Sequence, residues 1–188
     1  LRFNVPAAAY GEDCYAGLNI WYSGRDRMAV AIRSPDGSLT GYQEIIASGD
    51  SEKVYVLDEG KVTIATPGPD PLNGDHTIFV LLENPSRPTF PVKPGVWRLQ
   101  LRGDAIEKGT VDAWTFTGMD SEVLFTGSSV SDTMKIGSPG AAKRAITVGS
   151  YTTKVEWVDI QGDTQSVDMD LQDISDFSSE GPLRDGTR

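Results

Sequence analysis

Through the first 130 residues, apolar and polar positions alternate in short runs broken by glycine and proline. In Met28-Ala-Val-Ala-Ile-Arg33, the side chains of Met28, Val30 and Ile32 fall on one side of an extended chain. In Val96-Trp-Arg-Leu-Gln-Leu101, Trp97, Leu99 and Leu101 fall on one side, with Arg98 and Gln100 on the other. A period of two is what a strand with one wet face requires. Comparable runs cover Leu18–Tyr22, Lys53–Asp58, Lys61–Thr66, Thr77–Glu83 and Thr110–Thr117. Turn residues separate them, at Ser34-Pro-Asp-Gly37, Asp58-Glu-Gly60, Pro67-Gly-Pro-Asp70, Asn73-Gly74 and Pro94-Gly95. No helical segment of convincing length appears. Many short strands with such turns predict an antiparallel β-sandwich of the jelly-roll kind, with about eight strands. The alternation also predicts that Trp97 and Trp114 are mostly buried.

The pattern changes near residue 130. Ala145-Ile-Thr-Val-Gly-Ser-Tyr151 is a continuous apolar run rich in β-branched residues, the signature of a strand buried on both faces as in a parallel sheet. Gly137-Ser-Pro-Gly140 before it is a turn, and Phe177-Ser-Ser-Glu-Gly-Pro182 is an apolar anchor followed by another. Lys154–Ile160 is set to form a hairpin with Gln165–Met169 across Gln161-Gly-Asp163. The chain therefore divides into residues 1–130, a sandwich, and residues 131–188, a piece of a different architecture.

The blocks Ile136–Ser150 and Phe177–Pro182, in this order, resemble the stretch of subtilisin-like serine proteases just upstream of the nucleophile. In that family the first block follows the oxyanion-hole asparagine, and the Gly-Thr-Ser-Met-Ala nucleophile motif follows the second. Neither that motif nor the Asp and His motifs of the triad occur here. The resemblance thus implies an internal portion of a subtilase, with no catalytic residue of its own and no activity alone. It implies that Gly137, Ser138, Pro139 and Gly140 line one wall of the S1 pocket, with a cis bond before Pro139. It places Phe177 near the leaving-group side. Ser178 and Ser179 are not nucleophile candidates, since no base and no strained elbow surround them.

The first 130 residues carry a second resemblance. Arg33-Ser-Pro-Asp-Gly-Ser38, Pro94–Leu101 and Gly109-Thr-Val-Asp-Ala-Trp-Thr-Phe116 are similar to the "SPSGT", "GTWTLRV" and "GTLNSWSL" segments of the jelly roll that follows proprotein convertase catalytic domains. A jelly roll inserted into a subtilase is similar to the clostridial germination-protease subgroup. This arrangement makes 1–130 the insert and 131–188 a partial, incomplete α/β subtilase core. It implies a secreted or cell-envelope parent that cuts a protein or peptide substrate. Pseudoproteases occur in that subgroup, so a jelly roll that binds protein or glycan beside a degenerate core is the alternative.

Charge and single residues narrow this further. The 188 residues hold 17 Lys and Arg against 27 Asp and Glu, a net charge of −10. That argues against nucleic acid and anionic membrane surfaces as partners. No apolar run approaches the ~18 residues of a membrane span. The one cysteine, Cys14, forms no intrachain disulfide and reads as a small thiol without a catalytic partner. No cofactor is indicated. Asp70, Asn73 and Asp75 are weak candidates for a Ca²⁺ loop, but their spacing departs from the EF-hand and fits polar turn residues better. Asp168, Asp170 and Asp173 read as a solvated acidic loop. Trp21, Trp97 and Trp114 are candidates for an aromatic sugar platform, with core packing the commoner fate. Without neighbours, the run at 145–151 would be exposed and open to strand exchange with a second copy.

Overall fold

The computed structural model describes residues 1–7, 15–44, 51–84, 92–119, 122–137, 140–142 and 144–186. Its residues group into two units, Leu1–Val130 and Ser131–Arg188.

Among the described residues, the first unit has ten strands: β1 (Arg2–Val5), β2 (Tyr15–Tyr22), β3 (Arg27–Arg33), β4 (Gln43–Glu44), β5 (Ser51–Leu57), β6 (Gly60–Thr66), β7 (His76–Glu83), β8 (Gly95–Ala105), β9 (Val111–Thr117) and β10 (Leu124–Thr126). They form two five-stranded sheets, ordered β10-β1-β8-β3-β4 and β5-β6-β7-β2-β9. Every pairing is antiparallel. All seven runs expected from the alternation are strands. The short strands β1, β4 and β10 lack enough alternation to be seen beforehand.

The two sheets face each other across one core. From the first come Phe3, Val5, Val30, Ile32, Trp97 and Leu99; from the second come Leu18, Ile20, Tyr22, Val62, Ile64, Ile78, Val80 and Leu82. Each is an alternate residue of its strand, as a period-two pattern demands. Burying one such side chain contributes about 1.5–3 kcal/mol. Trp97 is fully enclosed, and its indole N–H donates to the Lys93 carbonyl at 3.0 Å. The ring's one polar atom is thereby satisfied.

Local chemistry sets the turns. The Ser34 hydroxyl accepts the Gly37 and Ser38 N–H groups, and Gly37 has a φ of 105°, a conformation that favours glycine. Asp58-Glu59 closes the β5–β6 hairpin, with Leu57 opposite Gly60. Asp26, buried between β2 and β3, accepts the N–H groups of Glu107, Lys108 and Gly109 at 2.6, 2.8 and 2.8 Å. These bonds, led by that from Lys108, hold its carboxyl below the usual carboxylate range. One side chain thus fixes the β8–β9 connection to the β2–β3 connection.

Trp114 departs from expectation. The register sets it opposite Asn19, and Asn19 opposite Phe79. Asn19 lies between the inward Leu18 and Ile20, so all three point away from the core. Trp114 is half-buried on the outer face of the second sheet. Val111-Asp-Ala-Trp-Thr-Phe116 has apolar residues on both phases, and the inward phase is that of Val111 and Ala113.

Among its described residues, the second unit has one hairpin, β11 (Glu156–Val158) with β12 (Thr164–Ser166), and a bridge between Tyr151 and Ile174. The expected hairpin is present with both arms shorter than expected. Asp159 builds its turn by accepting the Gln161 and Asp163 N–H groups, each at 2.9 Å, while Gly162 takes a φ of 92°. The expected strand at 145–151 is absent, and no helix occurs among the described residues. Ile146 is 94% and Val148 81% exposed. A parallel strand exists only through its lateral partners. Among the described residues, this run's strand pairing is limited to the Tyr151 bridge.

Candidate functional site

Two blocks that are separate in sequence meet in the second unit. The Ser150 N–H donates to the Ser178 hydroxyl oxygen at 2.8 Å, and that hydroxyl lies 3.2 Å from the Ser150 carbonyl. The Ser175 N–H donates to the same carbonyl at 3.0 Å, and the Thr152 N–H donates to the Asp173 carbonyl at 2.8 Å. The buried hydroxyls of Thr152 and Ser175 are 2.9 Å apart, and Ser175 Oγ is 3.1 Å from Ser150 Oγ. Further upstream, the Lys135 N–H donates to the Glu180 carbonyl at 2.9 Å. The blocks ending at Ser150 and beginning at Phe177 are therefore laced by short polar side chains.

This network of four hydroxyls has no imidazole or carboxylate among its contacts, so nothing there can take a proton from a serine. The chain's one histidine is committed elsewhere. His76 is buried at the start of β7 and stacks on Tyr22, with ring centroids 5.3 Å apart. Burial pulls its pKa below the ordinary histidine value, and the nearby Asp75 only partly opposes this. Its Nδ1 is buried without a hydrogen-bond partner.

Of the residues expected along an S1 wall, Gly137 and Gly140 lie in one turn. The Ala141 N–H donates to the Gly137 carbonyl at 3.0 Å, and the Thr147 hydroxyl donates to the Gly140 carbonyl at 2.6 Å. Ser138 and Pro139 lie outside the described residues, as does the bond expected to be cis. Gly181–Pro182 is a cis bond. Phe177 is 67% exposed beside Ser178 rather than packed in a core.

In the loop before β7, the Asp70 carboxylate accepts the Leu72 and Asn73 N–H groups at 2.8 and 3.3 Å, and the Asn73 side chain accepts the Asp75 N–H at 2.9 Å. These oxygens serve the turn itself, as Asx turns do. Among the described residues, no group of three or more His, Cys, Asp and Glu converges to hold a metal. Cys14 lies outside the described residues.

The three tryptophans considered for a platform do not act together. Trp97 is in the core, whereas Trp21 and Trp114 share the outer face of the second sheet. Around them on that face stand Tyr15, Phe79 and Phe116, and the Phe116 ring lies directly over Gly17. Between Phe79 and Trp114 sits Asn19, whose buried amide oxygen has no partner. Sequence reading named Trp21 and Trp114 but missed Asn19, because only the register sets it between two aromatic rings.

No family model matches the chain, and no curated protein matches it. Among solved structures, it is similar to the CspB protease of Clostridium perfringens, with a TM-score of 0.61 and 22% sequence identity. The match covers 81% of this chain and 30% of that one, so the chain spans less than a third of that protease's length. A likeness at this identity is one of fold.

Proposed function

We propose that the chain is a non-catalytic portion of a subtilisin-like serine endopeptidase of the secreted or envelope-associated kind. The first unit is then an inserted jelly roll that stiffens the catalytic domain or shapes access to its cleft. The second is a piece of the protease core carrying part of the S1 wall at Gly137–Gly140. One observation carries the reading: the two blocks with subtilase-like sequence are joined by the Ser150–Ser178 contact, with the Thr152–Ser175 contact just inside them, as neighbouring parts of one core would be. The fold likeness to a clostridial protease supports it. The matched share of the chain exceeds the first unit, so it includes residues of both units.

Peptide hydrolysis of this type needs nucleophile, base and orienting carboxylate in contact. The described residues bring no such set together, so the purified chain is expected to leave chromogenic peptides uncleaved. Turnover abolished by a serine-directed inhibitor would overturn the non-catalytic assignment. The encoded sequence on either side tests the parent. Asp, His and Gly-Thr-Ser-Met-Ala motifs are expected there, and a flank lacking them leaves a pseudoprotease.

The aromatic outer face favours a second reading, a sandwich that binds glycan. Trp21 and Trp114 offer flat apolar surface on that face. Quenching of tryptophan fluorescence by oligosaccharide, lost in Trp114→Ala, is the expected sign of this activity. An unchanged spectrum across a panel of oligosaccharides would remove it.

A further inference from the structure

β8 runs between β1 and β3, and residues directly opposite one another across a ladder share a face. The register sets Arg2 opposite Arg98 and Arg98 opposite Arg33. Their neighbours Phe3, Trp97, Leu99 and Ile32 all point into the core. The three arginines therefore stand in one row on the outer face of the first sheet, on strands about 4.8 Å apart. Like charges placed opposite each other destabilise a sheet. In a chain with ten more acidic than basic groups, such a row calls for a function.

Among the described residues, no carboxylate lies within salt-bridge distance of Arg2, Arg33 or Arg98. On adjoining elements, Asp36 pairs with Lys93, while Glu44 and Asp104 pair with Arg102 further along β8. Arg33 Nε donates to the Gly37 carbonyl at 3.1 Å, which fixes that guanidinium and leaves its two terminal nitrogens for another partner. The surface here is concave. A hollow of about 310 Å³ is lined by Arg33, Ser34, Pro35, Gly37, Val96 and Arg98.

The adjoining row carries two exposed aliphatic side chains flanking Asn4. Leu124 lies opposite Asn4, and Asn4 opposite Val96; Leu124 is 55% and Val96 43% exposed. A free inorganic anion has no use for these side chains, whereas a peptide carrying both carboxylates and aliphatic groups matches both rows. We infer that the outer face of β1, β8 and β3 is a docking site for an acidic, partly apolar segment of a protein partner. Its carboxylates are held by the forks of Arg2, Arg98 and Arg33, and its aliphatic side chains rest on Val96 and Leu124. Planar guanidinium groups suit this task because they grip a carboxylate with two parallel hydrogen bonds.

The test is fluorescence anisotropy of a labelled Asp-Leu repeat peptide with the full chain at low ionic strength. Saturable binding is expected, weakened by salt as exposed charge pairs are. Arg33→Gln and Arg98→Gln should each lower affinity by about tenfold, as loss of a charged partner at an interface does. Arg98→Lys should retain part of it, and Arg25→Gln, on a remote loop, should change nothing. Circular dichroism confirms that each variant is folded, and the lysine variant keeps the experiment decisive if a glutamine variant is not. Equal binding of an Asn-Leu repeat, or unchanged affinity in both glutamine variants, would overturn the site. Competition by inorganic phosphate at concentrations as low as those of the peptide would show that a free oxyanion, and not an acidic chain, is the ligand.

Discussion

His76 and Asp26 show how single side chains set the conditions under which the sandwich is stable. His76 is buried against Tyr22, and that burial depresses its pKa below the 6.5 of a free histidine. Above pH 6.5 neither the folded nor the unfolded chain carries its proton, and stability is undiminished. Below that value the unfolded chain binds the proton first, so stability falls until the folded pKa is passed. The slope in that window is bounded by the one-proton limit of about 1.4 kcal/mol per pH unit. Asp26 adds a second step. Its folded pKa lies below the ordinary 3.8, so its contribution is intact above 3.8 and is lost as pH falls through the folded value. Urea denaturation at a series of pH values should show both losses. His76→Phe, which keeps a ring against Tyr22, should flatten the first and leave the second. Superimposable profiles for the two proteins would mean that His76 is not held neutral. Gly24 sets a steric limit at the same end of the unit. A methyl added there would sit 1.9 Å from the Gly74 carbonyl oxygen, so Gly24→Ala must displace a loop backbone.

Trp97 and Trp114 look alike in sequence and lie on opposite sides of their sheets. Trp97→Ala should cost about 3–5 kcal/mol, because it empties a fully enclosed site and strands the Lys93 carbonyl. Trp114→Ala removes a half-buried ring from an outer face and should cost clearly less. Thermal or chemical denaturation of the two variants measures the difference, and equal losses would contradict the register. The pair also shows what a sequence can disclose about an element. Where one phase is apolar and the other polar, as in Val96–Leu101, both the strand and its inward side are readable. Where both phases are apolar, as in Val111–Phe116, the strand is readable but its orientation depends on which neighbour it pairs with. The hairpin at Glu156–Ser166 was readable because Gln161-Gly-Asp163 supplies its own turn chemistry. The run at Ala145–Tyr151 has strand composition and no strand, since composition cannot supply lateral partners. The arginine row was invisible for the same reason: residues 2, 33 and 98 become neighbours only through register.

The two units differ in how completely each satisfies itself. The first closes a core between two sheets, while the second leaves large apolar side chains in water. Ile146, Val148 and Ile160 are 94%, 81% and 97% exposed, and Val158, Leu171, Ile174 and Phe177 are all more than half exposed. Such surface on a short segment favours association. The backbone from 145 to 150 has few partners and can accept a strand from another chain. The purified chain is therefore expected to self-associate through residues 140–180, with closed two-fold pairing as the commonest outcome. Light scattering should give a mass that rises with concentration toward a dimer. Replacing Ile146 and Val148 by serine should shift the chain back toward monomer with the sandwich's melting unchanged. Hydrogen exchange gives an independent reading, with amides of 146–151 gaining protection as concentration rises while those of β8 stay constant. A strict monomer at all concentrations, with 146–151 protected as strongly as β8, would instead mean that this run already has a partner surface within its own chain.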